Sequence, residues 1–70
     1  MNAWIILVTY YKNYKTSNVS QTGYKTYEQA KKEVLSKINE EDLKVESDYR
    51  FLDLENEIQY ELKSVFINNQ

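Results

Sequence analysis

Four carboxylates crowd the run DLENEIQYE, at Asp53, Glu55, Glu57 and Glu61. In a strand, alternate side chains share a face, so this spacing sets all four on one side. Such a group suits acid–base catalysis, a hard cation or a basic partner. Glycosidase-type chemistry needs a cleft with two differently tuned acids, and 70 residues leave little room for one. For a cation, the consecutive acids Glu40, Glu41 and Asp42 point in different directions, and no calcium-loop motif accompanies them; a solvated connector is the simpler reading. The basic partner remains. Like charges about 5 Å apart in water repel by roughly 0.8 kcal/mol before screening. Charges that only guard a sheet edge against aggregation could have mixed signs and avoid that repulsion. With Glu40, Glu41, Asp42, Glu46 and Asp48, the segment 40–61 holds nine acids, which favours a negative surface with a binding role.

Other chemistries are excluded by residue type. The chain has no Cys and no His, so disulfides, zinc fingers, thiolate nucleophiles and imidazole bases are absent. Ser17, Ser20, Ser36, Ser47 and Ser64 have no imidazole to activate them, and no Gly-rich phosphate loop exists. No catalytic, metal or cofactor-binding residue is assigned, and a non-enzymatic protein is expected. The first half interleaves Tyr10, Tyr11, Lys12, Tyr14, Lys15, Tyr24 and Lys25, as a single-strand nucleic-acid platform does. A net charge of -2 and the acidic second half oppose that use, and strand tyrosines usually serve packing. Residues 1–37 carry six Lys against two Glu, and residues 38–70 carry nine acids against two Lys and one Arg. The chain is polarised from +4 to -6 along its length.

The elements that must position these groups are legible from patterning. Trp4 to Tyr11 is β-branched and aromatic on both alternating sets, which marks a central strand buried on two faces. Lys12 to Asn18 reads as a turn and Val19 to Lys25 as an edge strand, with Gly23 marking a bulge, a close backbone approach or a turn. Thr26-Tyr27-Glu28-Gln29 fits a capping box, with the Gln side chain reaching back to the Thr26 N–H. Tyr27, Ala30, Val34, Leu35 and Ile38 then share one face of a helix over 27–39. Glu40 to Asp48 is a connector in which Leu43 and Val45 could begin pairing early. Tyr49 to Leu54 and Ile58 to Ile67 form a hairpin through a three-residue loop, Leu54-Glu55-Asn56, with Asn56 left-handed. That loop sets Leu52, Leu54, Ile58, Tyr60, Leu62 and Phe66 beneath the helix, and Asp53, Glu57 and Glu61 on the outward face.

The expected architecture is a single α+β domain over 1–70, with a frayed tail at 68–70. Its order is ββαββ: a four-stranded, largely antiparallel sheet with the helix packed on one face. A chain this small holds only about 3–5 kcal/mol of stability. One helix leaves the other sheet face open, and Tyr49, Phe51, Val65 and Ile67 lie on it. A symmetric sheet-on-sheet homodimer, or another partner, would cover them. Neither a basic leader nor an apolar run of about 20 residues is present, so a cytoplasmic protein without membrane contact is expected.

The stretch YKTYEQAKKEV, Tyr24 to Val34, is a strand passing into a capped helix. There, and in size and layout across the whole chain, the sequence resembles small early or host-takeover proteins of phages infecting low-GC bacteria. The resemblance implies an inhibitor of one host protein, encoded by a phage or mobile element, and some members of that group are DNA mimics. It transfers no functional residue. Joined to the charge pattern, it suggests Asp53, Glu55, Glu57, Glu61, Glu40, Glu41, Asp42, Glu46 and Asp48 as the surface for a basic host partner, such as a histone-like or other DNA-binding protein. The alternative is direct single-strand nucleic-acid binding through Tyr10, Tyr14 and Lys15.

Overall fold

The structure, a computed structural model, describes residues 2–12, 15–19 and 23–66, with 15–19 described as backbone. Five strands, β1 (Asn2–Tyr10), β2 (Lys15–Val19), β3 (Leu43–Ser47), β4 (Arg50–Asp53) and β5 (Ile58–Phe66), form one antiparallel sheet in the order β2-β1-β5-β4-β3. One helix, α1 (Tyr27–Lys37), crosses one face, which makes the domain α+β with a single helix layer as expected. The sheet has one strand more than the ββαββ reading. Leu43 to Ser47, read as connector, pairs with β4, and a 3₁₀ turn at Glu40–Asp42 carries the chain into it. Edge strands need apolar residues on one face only and tolerate charge, so Lys44 and Glu46 hid this one.

Helix α1 starts where its cap is. Thr26 is extended, and its hydroxyl oxygen accepts from the Gln29 N–H at 3.2 Å. The returning Gln29 side chain accepts from the Lys25 N–H at 3.1 Å, one residue earlier than the box pattern anticipates. Ala30 and Val34, four residues apart, are fully buried on the sheet, and Ile38 returns to extended backbone and ends the helix two residues short of 39. The core is Ile6, Ala30, Val34, Ile38, Phe51, Tyr60 and Leu62, flanked by Trp4, Val8, Leu35, Leu43 and Ile58.

β1 is central, as its two apolar faces require: Trp4, Ile6 and Val8 lie towards the helix, while Ile5 and Leu7 are half-buried on the far face. β2 begins at Lys15, inside the stretch expected to turn; of the segment expected as the edge strand, among the described residues, Val19 ends β2 opposite Leu7 and Tyr24 bridges to β1 opposite Trp4. A polar outer strand needs only the β1 backbone to pair with, so composition concealed it. A Cβ on Gly23 would sit 3.3 Å from the Ala3 Cβ; the glycine marks a close approach. Residues 20–22, Ile67 and the expected frayed tail at 68–70 lie outside the described residues.

The β4–β5 hairpin departs from expectation in register. Asp53 pairs with Ile58 across a four-residue turn, 54–57, so Phe51 and Asp53 face the helix with Tyr60 and Ile58, and Leu52 turns to the far face. A slip of one residue exchanges the two faces of a strand. Two effects account for the observed choice. Burying the Phe51 ring removes more apolar area from water than burying Leu52 would. The buried Asp53 carboxylate is also satisfied locally, accepting from the Asn56 N–H at 3.1 Å and the Asn56 side-chain amide at 2.8 Å. Glu57, with φ 58°, takes the left-handed position that was expected at Asn56.

Candidate functional site

The sheet register gathers acids at one end of the domain. Leu43 lies opposite Asp53, and the Leu54 N–H donates to the Asp42 carbonyl at 2.9 Å, which ties the β4–β5 turn to the 3₁₀ turn. Glu40, Glu41, Asp42 and Glu55 therefore share one pole, with Asp53 beneath it. The Asp42 carboxyl beside Glu55, through a hydrogen bond and then through charge, holds the Glu55 carboxyl above its usual value. Desolvation and Asp53 add to this, and a hydrogen bond with Asn39 opposes it. Among the described residues, no Lys or Arg forms an ion pair with Glu40, Glu41, Asp42 or Glu55.

The other suggested acids are dispersed. Asp53 is only 2 % exposed and faces the helix side. Glu57 sits in the turn with its carboxylate 3.3 Å from the Lys12 ammonium. Glu61 lies on the far face, 3.2 Å from Arg50, its cross-strand neighbour. Glu46 and Asp48 are exposed at the opposite end of β3. The outward row of Asp53, Glu57 and Glu61 thus does not form, because the four-residue turn reverses β4 relative to β5.

The apolar quartet is likewise scattered. Phe51 is 1 % exposed in the core, Val65 is half-buried on the far face opposite Ala3, and Ile67 lies outside the described residues. Tyr49 is 50 % exposed and belongs to an aromatic cluster that the sequence pattern did not reveal. Its ring stacks parallel to Trp4 at 5.9 Å, and Tyr27 meets both rings edge-on at 5.5 Å. The Tyr27 hydroxyl donates to the Asp48 carbonyl, and the Lys31 ammonium lies 5.8 Å from its ring centre. Burial first, then the charges of Asp48 and Glu28, push the Tyr27 hydroxyl up. These rings come from β1, α1 and the β3–β4 turn, and only the Tyr27–Lys31 spacing of four was a local signal.

For the nucleic-acid alternative, Tyr10 is exposed and Lys12 is paired with Glu57, while Tyr14 and the Lys15 side chain lie outside the described residues. Among the described residues, no group of three or more Asp and Glu side chains is placed to hold a metal ion, and no helix is long and apolar enough to cross a membrane. The pole offers carboxylate acceptors and negative charge, groups that are complementary to ammonium and guanidinium side chains. No protein-family model, curated protein or solved structure matches the chain.

Proposed function

We propose that the chain is a small non-enzymatic protein-binding module whose acidic pole docks on a basic protein surface, of the kind that holds nucleic-acid phosphate. One observation carries this reading: Asp42 and Glu55 are held in contact, Glu40 and Glu41 belong to the same 3₁₀ turn as Asp42, and no described Lys or Arg forms an ion pair with any of the four. Crowded like charges cost a small domain stability, and a partner presenting Lys and Arg side chains removes that cost on binding. The setting we propose is inhibition of a host DNA-binding protein in the bacterial cytoplasm by a phage or mobile-element product. Charge complementarity speeds encounter and makes binding fall with salt. The outward row of Asp53, Glu57 and Glu61 has no part in it; the cluster at the pole does.

Capture from a bacterial lysate at low and high salt tests the reading. Basic nucleic-acid-binding proteins should be retained at low salt, released at high salt, and lost when Glu40, Glu41 and Glu55 are changed together to Gln. An unchanged set of captured proteins with that triple variant would refute the pole as the contact.

A further inference from the structure

β3 is the outer strand of the sheet, and its geometry carries an inference independent of the acidic pole. We propose that two copies of this chain join edge to edge through β3, antiparallel about a twofold axis at Val45, into a continuous ten-stranded sheet.

The open edge offers backbone groups at the right residue. Asp42 accepts from the Leu54 N–H, and Lys44 lies opposite Leu52, so up to Val45, where the register shifts, β3 bonds to β4 from its even-numbered positions. By the alternation of an antiparallel ladder, the N–H and C=O of Val45 then point away from β4, to the open edge. The Leu43 N–H is taken by the Glu40 carbonyl, which leaves Val45 as the centre of any added ladder. Its side chain is 59 % exposed on the helix side.

Charge selects the occupant. Antiparallel pairing about Val45 sets Val45 opposite Val45, Lys44 opposite Glu46 of the second copy, and Glu46 opposite Lys44 of the second copy. Both side chains are exposed, and among the described residues neither is in an ion pair. Opposite charges directly across a strand pair attract, and like charges repel. Slipping the register by two residues puts Lys44 against Lys44 or Glu46 against Glu46, and parallel in-register pairing does both. Edge charges ordinarily keep strands apart, but this pair is complementary to itself in one register only. The register shift between Val45 and Ser47 sets Glu46 at a bulge, so the added ladder is short and centred on Val45. Asp42 and Asp48, just beyond its ends, set like charges near each other. A contact this small belongs with weak interfaces, with a dissociation constant on the order of 100 μM.

Sedimentation equilibrium on the intact chain, from micromolar to millimolar, reads the association. Lys44→Glu and Glu46→Lys should each weaken it about tenfold or more, because each sets like charges opposite one another at both sites. An equimolar mixture of the two variants should associate, since each carboxylate then meets an ammonium, and the combined swap in one chain should restore self-association. In the unaltered protein, the Val45 N–H should exchange more slowly as concentration rises. A monomer at millimolar concentration, association indifferent to either substitution, a mixture that stays monomeric, or Val45 exchange independent of concentration would each overturn the proposal. Association lost instead on changing Ile5 or Leu7 to Lys would point to the far face and also overturn it.

Discussion

Replacing Asp53 with Ala tests the hairpin where the chemistry is least expected. The carboxylate is almost wholly buried, yet it accepts two hydrogen bonds from Asn56, at 3.1 and 2.8 Å. A hydrogen bond to a charged group contributes about 1.5–3 kcal/mol, but exposed Asn56 can turn to water when Asp53 is gone, so the two losses do not add. Removal also relieves the desolvation of a carboxylate and its repulsion of Glu55. The net loss worked from these terms is about 1–2 kcal/mol, a large part of the roughly 3–5 kcal/mol available to a domain this small. At about 4–8 °C per kcal/mol, the thermal midpoint should fall by roughly 4–16 °C. Thermal and urea unfolding followed by circular dichroism measure it, and Asn56→Ala completes a double-mutant cycle with a coupling of about 1 kcal/mol. An unchanged midpoint, or zero coupling with Asn56, would refute Asp53 as the anchor of the turn.

Three further outcomes follow from the same geometry. Phe51→Ala should cost about 3–5 kcal/mol and leave the chain largely unfolded, whereas Leu52→Ala on the far face should cost about 1 kcal/mol; urea titration showing the reverse would restore the other register. Glu57→Gly should raise the thermal midpoint by a few degrees, since a left-handed L-residue costs about 1 kcal/mol and the exposed Lys12 pair contributes little, whereas Glu57→Val should lower it. Burial, as the largest cause in each case, raises the Tyr24, Tyr27 and Tyr60 hydroxyls above the usual 10.0. The folded chain therefore holds protons that the unfolded chain releases, so this stabilisation is intact below pH 10.0 and lost as pH rises through the folded values. Unfolding free energy measured on both sides of that value should decline on the alkaline side, with Tyr60→Phe reducing the slope.

Where sequence and structure agree, one local pattern had one solution. Thr26 to Gln29 capped α1 because Thr and Gln at that spacing satisfy orphan N–H groups, and Trp4 to Val8 had to lie centrally because both of its faces are apolar. The register of β4 was not legible in this way. Arg50-Phe51-Leu52-Asp53 offers an apolar residue to either face, and the outcome rests on a turn whose Asp53–Asn56 bonds exist only once the chain has closed. The two edge strands were hidden because an outer strand can be polar. The Asp42–Glu55 contact joins residues 13 apart through the β3–β4 pairing, so it could not be read before β3 was known.

The acidic pole is tested most directly by the footprint of a bound partner. Amide shifts of the isotopically labelled chain, titrated at low salt with a basic protein captured as described above, would locate the contact. Changes concentrated at 39–42 and 54–57, and abolished by neutralising Glu40, Glu41 and Glu55, are the expected result. Changes centred on 46–49, or on Ile5, Leu7 and Leu52 of the far face, would contradict it.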